Sequence, residues 1–187
     1  FQPAIYTNPN IFLQEGWHYH LENKDDELIY KGVVYNEMKG AFSSPDEVLE
    51  REIMNHLFPD TTYGCESGGD PKNIPDLTYE NFLNFHRTYY HPSNSYIYLY
   101  GNMDMEEKLA FLDEHYLSHF DYLDVDSVIQ EQKAFGACRD VTLEYPVAEN
   151  EGEEDNTYLS YNMVVGNAAD SQMAMAFEVL DYALLSA

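Results

Sequence analysis

Basic residues are the scarcest feature of this sequence. Nine Lys and Arg stand against 34 Asp and Glu in 187 residues, a net charge of −25. Nucleic-acid binding needs a basic face to neutralise phosphates, so no nucleic-acid partner is expected. An anionic membrane surface is disfavoured for the same reason. Cysteine is nearly absent: Cys65 and Cys138 are the only two. Two cannot build a disulfide framework, and they read as free thiols of a reducing compartment. No stretch approaches the ~20 apolar residues of a membrane span. No Gly-x-Ser-x-Gly elbow occurs, and Cys65 has no helix start behind it, so a Ser or Cys nucleophile has no support.

Aromatic side chains, by contrast, are abundant. With 17 Tyr, 10 Phe and 44% hydrophobic residues, core material is ample for one large or two small domains. The acidic surface would attract cationic partners at long range, or simply keep the chain soluble. No internal repeat or low-complexity tract is visible. Glu149 to Asp155 is an acidic, Gly-containing stretch that reads as a solvated loop.

Periodicity and turn chemistry divide the chain. Residues 1–15 read as loop and turn, and Trp17 to Leu21 alternates weakly, as a strand would. Leu28 to Lys39 reads as a helix with Gly40 as its stop. Ser44-Pro45-Asp46-Glu47 is the clearest start signal, an N-cap followed by Pro and an acid. It predicts a helix from Pro45 to about Phe58, with Leu49, Ile53, His56 and Leu57 on one side. A loop follows from Thr61 to Pro75. Thr78 to Tyr90 is amphipathic, with Phe82, Phe85 and Tyr89 along one side. Tyr96 to Tyr100 alternates and predicts a strand, with Ile97 and Leu99 facing helices. Met105 to about Leu117 reads as a helix. Periodicity then fades from Phe120 to Ala137. Val141 to Val147 and Tyr158 to Val165 predict two strands. Ser171 to Leu185 predicts a helix with Met173, Phe177, Leu180 and Leu184 on one face. Mixed helices and hairpin signals argue an α+β class.

Two groups of residues invite a chemical reading. Glu37 lies three or four positions from Val33, Val34 and Ala41, so on a helix it shares a side with them. A carboxylate there must be solvated or partnered, and a cation is one such partner. From spacing alone, Glu37 reads first as an ordinary surface acid. His18 and His20 would share one strand face, a usable ligand geometry, but a histidine pair lacking a third partner is more often structural. His86 and His91, five apart and followed by Pro92, are not brought together by helix geometry.

The segment Lys31-Gly32-Val33-Val34-Tyr35-Asn36-Glu37-Met38-Lys39-Gly40-Ala41-Phe42 resembles the third-ligand helix of the pitrilysin-type, or inverzincin, zinc metallopeptidases, most closely their presequence protease and falcilysin branch. Gly16-Trp17, Ser67-Gly68-Gly69-Asp70-Pro71, Tyr90-His91-Pro92-Ser93-Asn94 and Tyr100-Gly101-Asn102 follow the same resemblance in order. In that family two His ligands and a catalytic Glu lie on an H-x-x-E-H helix, and a Glu on a later helix completes the zinc site. The resemblance places Glu37 in that third-ligand role. None of the seven histidines belongs to an H-x-x-E-H. The resemblance therefore implies that the base and both His ligands lie upstream of Phe1. A second acid found in many relatives seven residues before the ligand is replaced here by Tyr30.

The resemblance implies an antiparallel sheet with helices on one face. It places the latter part of a catalytic domain at 1–120, a linker at 121–138 and the beginning of a second similar domain at 139–187. It implies an internal fragment of a zinc metalloendopeptidase that degrades unstructured peptides in a closed chamber. Its partners would be peptides, basic ones favoured by the acidic charge, and the remainder of the parent chain. Zn2+ would be bound by the intact parent and weakly or not at all by this fragment, which would be inactive alone. The compartment would be the cytoplasm in a bacterium, or the mitochondrial matrix or another organelle in a eukaryote. Two alternatives remain: a non-catalytic domain or subunit that binds peptide or closes the chamber, and a free-standing acidic interaction module.

Overall fold

The computed structural model describes residues 3–145, 147, 152 and 154–185. The order of regular elements is α1 (Asn10–Glu15), β1 (His18–His20), β2 (Ile29–Lys31), α2 (Val33–Ala41), α3 (Pro45–Leu57), α4 (Tyr79–Tyr89), α5 (Met105–His115) and α6 (Ser171–Leu185). The chain is helix-rich, with one two-stranded antiparallel sheet among the described residues.

Local chemistry explains the helix starts. Ser44 accepts a hydrogen bond from the Glu47 amide, and Pro45 sits in the first helical position of α3. Thr78 and Asn81 form a reciprocal capping box at α4. Asp104 accepts from the Glu107 amide at α5, and Asp170 from the Met173 amide at α6. Each cap satisfies an amide that the first helical turn leaves unpaired.

Several sequence expectations are corrected. The helix expected over Leu28 to Lys39 begins only at Val33, because Ile29–Lys31 pair with His18–His20 in the register Tyr19 to Tyr30. It also runs past Gly40 to Ala41. A lone Gly costs a helix only about 1 kcal/mol, which is too little to end it. The strand expected at Tyr96–Tyr100 is not formed. Its backbone needs a neighbour for ladder hydrogen bonds, and no strand among the described residues pairs with it. Tyr96, Tyr98 and Tyr100 are consequently almost fully exposed. The strands expected at Val141–Val147 and Tyr158–Val165 are likewise absent among the described residues, Pro146 lying outside them. The two segments do meet, because the Tyr145 hydroxyl donates to the Asn156 carbonyl at 2.5 Å and the Tyr145 and Tyr158 rings pack edge to face. Most of the acidic loop from Glu149 to Asp155 falls outside the described residues. The broad sheet with helices on one face thus reduces to two strands of three residues each.

The core is small and lies in the first half of the chain. Phe12, Met38, Ile74 and Leu83 are the buried apolar side chains among the described residues. Phe12 of α1 packs on Tyr79 and Phe82 of α4. The Tyr79 hydroxyl donates to the Ile5 carbonyl, and the Tyr6 hydroxyl bonds His86 Nδ1 at 2.7 Å. The buried member of α4 is Leu83. Phe85, expected on one side with Phe82 and Tyr89, is exposed and packs tilted against Tyr89. From Phe120 to Tyr145 the chain has no helix or strand and is held by side-chain bonds, including Gln132 to Asp60 and Ser127 to Asn94.

Candidate functional site

The region around Glu37 is built from two close approaches at glycines, one of backbone and one of a side chain. At the start of α2, a Cβ added to Gly32 would lie 2.1 Å from the Gly16 carbonyl oxygen and 2.7 Å from Trp17 Cα. Only glycine allows this contact, because backbone cannot yield as a side-chain tip can. The Tyr35 amide donates to the same Gly16 carbonyl at 3.3 Å. The end of α1 therefore pins the first turn of α2. Further along α2, buried Met38 rests on the Ser67-Gly68-Gly69-Asp70-Pro71 loop, and a Cβ at Gly68 would fall 2.2 Å from its sulfur.

An aromatic cluster covers the sheet. Trp17 meets Tyr19 and Tyr30 edge to face, and Tyr30 also packs on Tyr35 of α2. The neighbouring Tyr19 phenol holds the Tyr30 hydroxyl above its ordinary range, so Tyr30 is a neutral donor at physiological pH. Tyr30 thus presents an uncharged hydroxyl on the strand that leads into α2.

Glu37 is exposed on α2, and no Lys, Arg or His among the described residues pairs with it. Four of the histidines have partners of their own. His18 and His20 stand with ring centroids 6.1 Å apart, but His18 Nδ1 bonds the Leu13 carbonyl at 2.6 Å and His20 Nε2 bonds Glu22 at 2.8 Å. His86 stacks on Tyr90, while His91 Nδ1 accepts from the Ser93 amide. Among the described residues no three His, Cys, Asp or Glu side chains converge on a point that could hold a metal. Cys65 and Cys138 are both exposed free thiols. Met38, Gly32 and Gly68 are the contributors that sequence reasoning missed. The signals available were a Gly just before the helix and a Gly pair in the following loop, but neither names its contact.

Comparison with known proteins completes the picture. The family described as "Peptidase M16 inactive domain" matches residues 76–187. This chain belongs to the peptidase M16 family. Relatives extend over the whole chain, including α2. It is 54% identical over 182 residues to "Protein HypA" of Clostridium perfringens, covering 97% of this chain and 19% of that protein. It is 40% identical over 188 residues to "Presequence protease 1, chloroplastic/mitochondrial" of Arabidopsis thaliana, covering 99% and 17% respectively. It is 39% identical over 179 residues to the mitochondrial presequence protease of Xenopus laevis, covering 94% and 17%. The chain therefore spans less than a fifth of the length of these relatives. Their names place such proteins both in a bacterium and in organelles. No helix among the described residues is long and apolar enough to cross a membrane.

Proposed function

We propose that this chain is part of a zinc metalloendopeptidase that hydrolyses unstructured peptides within a closed chamber, and that Glu37 is one of its zinc ligands. The observation carrying this reading is the unpaired Glu37 carboxylate on a helix held by the Gly16–Gly32 and Met38–Gly68 contacts, in a chain similar to presequence proteases. The two His ligands and the general base come from residues outside 1–187. Zinc, when bound, would acidify a water and polarise the scissile carbonyl. Glu37 would contribute negative charge and one oxygen donor, and Tyr30 an uncharged neighbour on the adjoining strand.

The excess of exposed surface supports a larger assembly. A self-contained globular protein of 21.7 kDa exposes about 9,200 Å2. This chain exposes 15743 Å2. Apolar side chains along Tyr96–Tyr100 and α6 are part of this exposed surface, and the remainder of the parent chain is the partner that would cover it. We place the latter part of the catalytic domain at 1–120, a linker at 121–138 and the start of a second domain at 139–187. The net charge of −25 favours basic peptides as substrates, and neither nucleic acid nor membrane is a partner. The compartment is the cytoplasm in a bacterium and an organelle such as the mitochondrial matrix in a eukaryote. The chain alone neither holds zinc tightly nor cleaves peptide. A second reading, a non-catalytic domain that binds peptide or closes the chamber, is favoured by the matched family's description as an inactive domain.

Glu37→Gln in the full-length protein separates the two. A catalytic role for this region requires zinc content and peptide hydrolysis to fall together, with stability changed by no more than about 0.5 kcal/mol. Unchanged zinc and unchanged hydrolysis would leave the non-catalytic reading.

A further inference from the structure

We propose that the Ser67-Gly68-Gly69-Asp70-Pro71 loop positions Glu37, acting through Met38. The inference rests on Glu37 being a metal ligand. Glu37 and Met38 are adjacent on α2, so their side chains point about 100° apart around the helix axis. Seating one therefore aims the other. Met38 is 8% exposed, and its whole outer end lies on Gly68: a Cβ there would be 2.2 Å from Sδ, 3.0 Å from Cε and 3.2 Å from Cγ. Any side chain at 68 would push the end of Met38 off this seat.

The loop is itself held firmly enough to act as a seat. Gly69 adopts a φ of +91°, in the region that favours glycine, and its amide donates to the Glu66 carbonyl at 3.0 Å. Asp70 accepts from the Lys72 amide at 2.8 Å through its side chain, and through its carbonyl from the amides of Asn73 and Ile74. Ile74, only 4% exposed, closes beneath Gly69. With Gly32 pinned at the other end, the nine-residue α2 is held at two points. A ligand must be placed to within about 0.5 Å, so loosening either point costs affinity without touching the carboxylate. Gly68 and Met38 are positioning residues in this scheme, and neither touches metal or substrate.

The test uses the full-length protein, with zinc affinity measured by chelator competition and thermal unfolding followed in parallel. Gly68→Ala and Met38→Ala should each lower zinc affinity about 10- to 100-fold, as loss of an outer-shell support does. Met38→Ala empties the seat without adding a clash, so it carries the test if Gly68→Ala does not fold. Gly40→Ala, on the same helix with nothing within 4 Å of its added Cβ, should leave affinity unchanged. In a Glu37→Gln background neither Gly68→Ala nor Met38→Ala should lower affinity further, because both act through Glu37. A purely structural role would add its loss there as well. Wild-type affinity in both single variants, or an added loss in the Glu37→Gln background, would overturn the proposal. Wild-type affinity in Glu37→Gln itself would instead remove the ligand assignment on which it rests.

Discussion

The indole N–H of Trp17 donates to the backbone carbonyl of Leu77 at 2.8 Å, across 60 residues of sequence. This bond ties the residue that leads into β1 to the turn that leads into α4. It sits beside the Gly16–Gly32 contact that pins α2, so one residue links the core around α4 to the helix carrying Glu37.

Trp17→Phe keeps a ring in the aromatic cluster and removes only that donor. It should destabilise the protein by about 1 kcal/mol, the usual net loss for one hydrogen bond with its acceptor left partly open to water. Urea unfolding of the full-length protein measures it. A midpoint equal to wild type would mean that water replaces the indole without loss.

The capping box at α4 is a second local test. Thr78 accepts from the Asn81 amide at 3.1 Å, and Asn81 Oδ1 accepts from the Thr78 amide at 2.9 Å. Thr78→Ala should cost about 1 kcal/mol, and Thr78→Ser almost nothing. Equal losses in the two variants would show that the cap contributes through its methyl group instead.

A third expectation concerns pH. The His20 ring, and after it the Lys31 ammonium, hold the Glu22 carboxyl below its ordinary value of 4.5. A carboxyl depressed in the folded state contributes stability above its unfolded pKa and loses it as pH falls through the folded value. The tie between Glu22 and β2 therefore weakens only on the acid side of 4.5. An NMR titration should give Glu22 a midpoint below that of the unfolded chain, and Lys31→Met should raise it. A midpoint insensitive to Lys31→Met would remove the ion pair from the explanation. The group is fully exposed, so the consequence for global stability is small.

The proposed linker invites proteolysis. Residues 120–145 carry no helix or strand and are held mainly by side-chain hydrogen bonds. Limited digestion should cut first between 121 and 138, before any site within α3 or α4. First cuts elsewhere in the chain would argue for a different division into domains.

Much of the helical structure was legible beforehand. Ser44 with Pro45 and Glu47, and Thr78 ahead of an apolar repeat, fixed the starts of α3 and α4 because capping is chemistry between residues three apart. The strands were not legible to the same degree. Tyr96–Tyr100 has the alternation of a strand, but a ladder needs a second backbone, and alternation does not report whether one is within reach. The reverse error occurred at Ile29–Lys31, where a helical pattern ran unbroken into α2 and pairing with His18–His20 overrode it.

At the candidate site the division is similar. Its wording along Lys31–Phe42 carried the family resemblance, and with it the place of Glu37. Tertiary structure alone showed that His18 and His20 are bonded to Leu13 and Glu22, that Gly32 lies against the Gly16 backbone, and that Met38 rests on Gly68. Sequence by itself determined what acts over a few residues: caps, helical periodicity, the acidic charge and a family motif. Only the fold decided which of those residues meet, because close packing depends on the path of the backbone between them, and that path is set by contacts far apart in the chain.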